Sequence, residues 1–132
     1  MASMSVSLRS IPDTQAAMGW AGGHTVVIDR PDGRAGGLGL GFNGGQMIAL
    51  AIGGCFCNDL RYMAETMGVR VDTISVDVTI ILEGQPPLVV SAEVRAQVQG
   101  DGDMAELVRR AAADSTVGNS VQRGFPVTIS QV

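Results

Sequence analysis

The pattern of apolar and polar residues along the chain divides it into helix-like and strand-like segments. A long apolar run predicts a helix over residues 46–67, which Gly68 ends. Apolar residues at spacings of three, four and seven predict a second helix over residues 104–113, and a short third helix is expected over residues 117–122. Alternating or β-branched residues predict strands at residues 5–11, 25–29, 71–82, 88–99 and 125–132.

Turn-forming residues separate these segments and define the fold class. The sequence Gly-Gln-Pro-Pro at residues 84–87 predicts a hairpin between the two longest strands. Residues 36–45 are dense in glycine and predict a loop, and Asp103 is the expected N-cap of the second helix. The order ββαββαβ, without an internal repeat or a linker, indicates a single α+β domain over residues 1–132.

Composition and charge exclude several classes of function. Hydrophobic residues make up 45% of the 132 positions, which is typical of a globular protein. The chain has no lysine and a net charge of −4, so we expect neither nucleic-acid binding nor attraction to an anionic membrane. Its longest apolar run is too short to cross a bilayer, and its start has no signal-peptide pattern. We therefore expect a cytoplasmic protein with reduced thiols.

The most informative segment lies in the first helix and reads Gly53-Gly54-Cys55-Phe56-Cys57. Residues two apart on a helix point about 200° away from each other, so the two cysteines are not expected to form a disulfide together. The glycine pair costs up to about 2 kcal/mol of helix propensity relative to alanine. A helix keeps such a pair when another backbone or a ligand comes close. From this pattern alone, Cys55 is either a packing residue or a reactive thiol.

Two other features have weaker interpretations. Residues 39–44 match G-x-G-x-x-G before a helix, but no parallel βαβ unit follows, so a flexible loop is favoured over nucleotide binding. His24 is the only histidine, and the cysteines lack C-x-x-C spacing, so no metal site is predicted. A histidine in a Gly-Gly-His-Thr loop is most often a polar loop residue. No haem, flavin or other cofactor is indicated.

Two stretches resemble the OsmC family of osmotically inducible and organic hydroperoxide resistance proteins. Residues 44–55, ending in a small-small-Cys sequence, resemble the family's long helix, and Asp59 also matches a common pattern in its members. Residues 115–121 resemble the family's Cys-Pro-Val-Ser-Asn-x-Leu motif, and the similarity extends over residues 20–132. The resemblance implies curved antiparallel sheets around two long central helices in an intertwined homodimer. It also implies active sites at the subunit interface.

The resemblance implies thiol chemistry as well. In the family's peroxidases, a first cysteine reduces a hydroperoxide and becomes a sulfenic acid, a second cysteine resolves it, and an external thiol restores the pair. The first cysteine matches Cys55, but the second falls on Ser115, which cannot form a disulfide. The family's arginine falls on His24, and its glutamate falls on Gly45, with Gln46 beside it. The resemblance therefore does not extend to a two-cysteine cycle.

Two hypotheses of function follow. In the first, Cys55 is the nucleophile of a one-cysteine peroxide reductase or redox-responsive protein, His24 is a base or hydrogen-bond partner, and Ser115 takes the resolving position. An external thiol reductant then completes turnover, and a nearby carboxylate at Asp59 opposes the thiolate. In the second, the homodimer binds a small apolar molecule without turnover, and Cys55 is a packing residue. The residues expected to line the binding site are Gln46, Met47, Phe56, Asp59 and Tyr62.

Overall fold

A computed structural model describes all 132 residues, which form five strands and three helices. The elements are β1 (Ser7–Ser10), β2 (Ala17–Ala21), β3 (His24–Ile28), α1 (Gly44–Met67), β4 (Arg70–Glu83), β5 (Leu88–Asp101), α2 (Met104–Asp114) and α3 (Thr116–Arg123). Contacts within the chain define an N-terminal unit, Met1–Met47, and a C-terminal unit, Ile48–Val132. The expectation of one domain stays a prediction. None of the helices combines the length and the apolar character that crossing a membrane requires.

The N-terminal unit is built on a three-stranded antiparallel sheet in the order β1-β2-β3. The glycine-rich segment that follows returns to β3, where the Phe42 N–H donates to the Val27 carbonyl at 2.9 Å. The Asp29 N–H donates to the Phe42 carbonyl at 3.0 Å. Gly41 permits this approach, because a Cβ atom there would collide with the Val27 carbonyl. The residues before α1 are therefore tied to the end of β3.

The C-terminal unit combines the long β4–β5 hairpin with the three helices. A single apolar cluster from α1 and α2 forms its core, and Leu60 and Leu107 are fully buried there. The apolar residues of β4 and β5 that face this cluster alternate with exposed ones, as expected for a sheet covered on one side. The buried members of the core are Phe56, Leu60, Met63, Ala64, Leu107 and Ala111.

The two glycines of α1 have different surroundings. A Cβ atom on Gly53 would lie 2.8 Å from Val78 Cγ2 and 3.5 Å from Val76 Cγ1, both on β4. A Cβ atom on Gly54 would meet nothing within 4 Å. Close packing of α1 on the hairpin therefore explains Gly53, whereas no packing contact requires Gly54.

This difference predicts opposite effects of the same substitution at adjacent positions. Gly54→Ala is expected to stabilise the protein by up to about 1 kcal/mol, because alanine is the better helix former. Gly53→Ala gains the same propensity but overpacks a stiff valine, for which about 1–3 kcal/mol of destabilisation is typical. Urea unfolding of both variants tests this; a stabilised Gly53→Ala protein would contradict the packing argument.

Most of the predicted elements are confirmed, and three differences from the prediction concern the strands. Both long helices, the short third helix, the hairpin and the Asp103 N-cap occur as predicted, within two residues at each boundary. Strand β2 was not predicted, and β1 is shorter than expected. The strand predicted at residues 125–132 is wrong, because this segment pairs with no strand and its alternating apolar residues, such as Ile129, are exposed.

Candidate functional site

Cys55 and Asp59 contact each other on α1 in the C-terminal unit. The Cys55 thiol donates a hydrogen bond to Asp59 Oδ2, with 3.4 Å between Sγ and the oxygen. The two residues are one helical turn apart, and both are half-buried. Asp59 takes part in no ion pair. The hydrogen-bond partner of the thiol is therefore an acid that forms no salt bridge.

Cys57 is also a free, half-buried thiol. The absence of a bond between Cys55 and Cys57 agrees with their divergent directions on the helix. The chain consequently has two thiols in different local surroundings, which makes Cys57 a natural control for any test of Cys55.

A cavity of about 480 Å³ lies in the C-terminal unit. Its lining is mainly aliphatic and comes from α1, β5, α2 and α3. Ile52 and Phe56 contribute the α1 part of the wall; Cys55 belongs to the same helical turn but is not one of the residues that line the cavity. Cavities of this volume commonly hold small organic molecules. The turn that carries the thiol thus forms part of an apolar cavity wall.

Ser115 lies on the same cavity wall and joins two helices. Its backbone N–H donates to the Ala112 carbonyl at the end of α2, and its Oγ accepts from the Gly118 N–H at 3.3 Å to cap α3. The residue is buried, yet its hydroxyl side chain has this local partner. Ser115 therefore has a structural role at the α2–α3 junction as well as a position on the cavity.

His24 and Met47 belong to the N-terminal unit, where they line a different pocket of about 360 Å³. The walls of this pocket are the apolar side chains of the three-stranded sheet, including Trp20. His24 is exposed at the start of β3 and makes no side-chain hydrogen bond or ion pair. Its role as a base or hydrogen-bond partner of Cys55 stays a prediction.

The other predicted binding residues, Gln46, Phe56 and Tyr62, have different positions and do not line one common cavity. Gln46 and Asn43 exchange hydrogen bonds between side chain and backbone at 2.9 and 3.0 Å, which is a capping box at the start of α1. Phe56 combines a place in the core with a place on the cavity wall. Tyr62 is 69% exposed and lines neither cavity.

A buried carboxylate that sequence reasoning missed organises the glycine-rich loop. Asp29 Oδ2 accepts from the backbone N–H groups of Leu38 and Leu40 at 3.1 Å each, and Oδ1 accepts from the Arg30 N–H at 2.8 Å. The Arg30 guanidinium lies 3.4 Å from Oδ1. One amide of the G-x-G-x-x-G motif, that of Leu40, and the Leu38 amide just before the motif are therefore bound by the chain's own acid. An aspartate at the end of the predicted strand that precedes the glycine-rich loop was the available signal.

These contacts make the loop sensitive to acid. The Leu40 N–H is the main group that lowers the pKa of Asp29, with help from Leu38 and Arg30, and burial opposes them. A lowered folded-state pKa means that the stabilisation is complete above the pKa of an unfolded aspartate, about 3.9. It is lost as the pH falls through the lower pKa of the folded protein.

We therefore expect Asp29→Asn to lower the melting temperature by several degrees at neutral pH. The difference from the wild type should shrink as the pH falls below about 4 towards the lower pKa of the folded protein, where Asp29 becomes protonated in both states. Melting curves between neutral pH and pH ~2 test this. Asp32→Asn, which changes an exposed loop acid without an ion pair, is the matched control. A constant difference at every pH would contradict the argument.

No group of three or more His, Cys, Asp or Glu side chains lies close enough together to hold a metal ion. The chemistry that its residues can perform is that of a free thiol beside a carboxylate, next to an apolar cavity.

Comparisons with known proteins agree with this fold. A family model described as OsmC-like protein matches residues 36–130. None of the curated proteins matches this chain in sequence. An OsmC-like protein of unknown function from Vibrio cholerae has 14% identity and a TM-score of 0.77, over 92% of this chain and 95% of its own.

Two further solved structures are similar to this chain and have names that refer to hydroperoxide resistance. The organic hydroperoxide resistance protein OsmC of Legionella pneumophila has 17% identity and a TM-score of 0.64, over 92% of this chain and 90% of its own. The organic hydroperoxide resistance protein OhrB of Bacillus subtilis has 21% identity and a TM-score of 0.61, over 91% and 90%. At these identities the similarity establishes the fold, and it confirms the α+β architecture that the resemblance implied.

Proposed function

Because this chain belongs to the OsmC-like family, we propose that it reduces a small organic hydroperoxide with a single reactive cysteine, Cys55. The observation that carries the proposal is the position of this thiol. Cys55 is free and half-buried, and its helical turn supplies Ile52 and Phe56 to the wall of an apolar cavity. An alkyl hydroperoxide combines an apolar body, which suits such a wall, with a reactive O–O bond that a nearby thiolate can attack.

The proposed reaction balances without a metal or an organic cofactor. The Cys55 sulfur forms a bond to the terminal peroxide oxygen as the O–O bond breaks, so the thiol and ROOH become a sulfenic acid and ROH. The sulfur is oxidised and the peroxide is reduced. Two molecules of an external thiol, or one dithiol, then restore the cysteine, with release of water and a disulfide. An external reductant is required because Ser115 offers no second thiol at the family's resolving position.

We also propose that the chain acts as a homodimer in the cytoplasm. Support for the dimer comes from large apolar side chains that the isolated chain exposes on the β4–β5 hairpin, namely Ile81, Leu82, Leu88 and Val90. All four lie near the turn end of the hairpin, and exposed apolar surface, where it forms a large patch, commonly marks an interface. Support for the compartment comes from the two free cysteines, which suit a reducing environment.

A rate comparison tests the proposed function. The reduced protein with excess dithiol should consume an alkyl hydroperoxide such as tert-butyl hydroperoxide, and it should consume hydrogen peroxide more slowly, since hydrogen peroxide has no apolar body to bury. Protein whose thiols have been alkylated is the control for the reductant's own reaction. Rates equal to that control for both peroxides would contradict the proposal.

The cavity itself favours a second candidate, the binding of a small apolar molecule without turnover. Its volume of about 480 Å³ and its mainly aliphatic lining support this function irrespective of the thiol. A medium-chain alcohol should then raise the melting temperature of the wild type. Ala92→Phe, which fills part of the cavity, should reduce this effect, whereas Glu93→Phe changes a residue outside the lining. A shift that both variants retain in full would contradict binding in this cavity.

A further inference from the structure

We propose that Asp59 is the proton relay of Cys55: its carboxylate takes the thiol proton and delivers it to the alkoxide that leaves when the O–O bond breaks. This inference rests on the proposed reduction of a hydroperoxide, and it assigns a catalytic role to a residue that the sequence suggested as a binding-site residue and as an obstacle to the thiolate. The geometry that points to it is the hydrogen bond of 3.4 Å from the thiol to Asp59 Oδ2.

The position of Asp59 suits transfer in both directions. The two residues are one turn apart inside a 24-residue helix, so the backbone holds their separation nearly constant. Asp59 has no cation within ion-pair distance, so its carboxylate is not already neutralised by a salt bridge. It is half-buried, which leaves it accessible to a peroxide oxygen bound beside the thiol. A carboxylate in contact with the reacting group is a general acid–base catalyst of the ordinary kind.

The proton balance shows what the relay contributes. Thiolate attack on the terminal oxygen of ROOH forms the sulfenic acid and expels RO⁻, which is a poor leaving group until it is protonated. The proton that Asp59 has taken from Cys55 completes ROH, and Asp59 returns to the carboxylate form. No other reactant is consumed in this step.

A competing interpretation predicts the opposite change in the reaction rate of Cys55 when Asp59 is neutralised. If Asp59 acts only through its negative charge, it disfavours the thiolate, and its neutralisation makes Cys55 more reactive. If Asp59 relays a proton, its neutralisation makes the reduction of hydroperoxide slower. Two electrophiles, iodoacetamide and an alkyl hydroperoxide, separate these effects. Iodide is a good leaving group that needs no protonation, whereas the alkoxide released from a hydroperoxide must be protonated. Alkylation therefore reports the thiolate alone.

The experiment measures single-turnover rate constants of the reduced full-length protein with tert-butyl hydroperoxide and with iodoacetamide, in a Cys57→Ser background. For Asp59→Asn we expect a decrease of about 100-fold or more with the hydroperoxide, as for the loss of a general acid–base catalyst. The alkylation rate should stay unchanged or increase. Asp59→Glu, which keeps the carboxylate, should recover part of the reduction rate. Glu65→Gln, an exposed acid of the same helix, should match the wild type on both electrophiles.

Each other outcome has a definite meaning. An unchanged or faster reduction by Asp59→Asn overturns the relay and leaves the proposed function intact. An equal loss on both electrophiles shows a disturbed site and also overturns the relay. A protein with intact Asp59 that alkylates but does not reduce hydroperoxide overturns the proposed function, and the relay with it.

Discussion

Replacement of Cys55 by serine is expected to abolish the reduction of alkyl hydroperoxides, down to the background rate of the reductant alone. A hydroxyl is not a competent nucleophile toward peroxide oxygen, whereas a thiolate is. Serine is nearly isosteric with cysteine, and Cys55 is only half-buried, so the variant should stay folded. The measurement is the steady-state consumption of tert-butyl hydroperoxide with excess dithiol, with circular dichroism as the check of folding.

Cys57→Ser is the matched control for this prediction. It removes a thiol that is also half-buried, from the same helix, two residues away and on a divergent face. We expect Cys57→Ser to keep the wild-type rate. Loss of activity in Cys57→Ser with retention in Cys55→Ser would show that Cys57, and not Cys55, is the reacting thiol.

The largest effect on stability is expected for Leu107→Ala. Leu107 of α2 is fully buried against Leu60 of α1 and the other members of the core, so its truncation leaves a cavity at the centre of the C-terminal unit. Truncations of this kind cost about 2–5 kcal/mol. Leu107→Met keeps the volume and should cost less than about 1.5 kcal/mol.

Chemical denaturation of the two Leu107 variants and the wild type, followed by circular dichroism, gives the free energies. Similar losses in the alanine and methionine variants would show that the shape of the site matters more than its volume. A loss below about 1 kcal/mol for alanine would show that the core around Leu107 can collapse, contrary to the close packing described here.

Helices and the hairpin were predictable because their signals are local. The first helix carries a long apolar run that a glycine ends, and Gly84-Gln85-Pro86-Pro87 joins two β-branched segments. Strand β2 was missed because its sequence, Ala-Met-Gly-Trp-Ala, contains no β-branched residue, and its pairing with β1 and β3 decides its conformation. Local propensity carries no information on such pairing.

In the C-terminal tail, a strand was predicted that the structure does not contain. Residues 125–132 alternate in the manner of a strand, yet a strand is stable only when its backbone groups find partners. In the described chain they have none, and Phe125 and Val127 are exposed. Alternation shows that one face of a segment is suited to burial; it does not identify the surface that covers it.

The candidate site was predictable only in part. The contact between Cys55 and Asp59 follows from their spacing of four on a helix, and the structure shows it. The cavity beside this turn could not be predicted, because its walls come from four elements whose mutual packing the sequence does not specify. For the same reason, the position of Ser115 on that cavity depends on the packing of α2 and α3, which sequence spacing does not specify.

The most direct test of the central claim, that Cys55 is the reacting thiol, is to trap its sulfenic acid. The reduced protein is treated with one equivalent of tert-butyl hydroperoxide in the presence of dimedone, and fragment mass spectra locate the adduct. The account predicts dimedone on Cys55 in the wild type and in Cys57→Ser, and none on Cys57 in Cys55→Ser. An adduct confined to Cys57, or no adduct in protein that has consumed the peroxide, would contradict it.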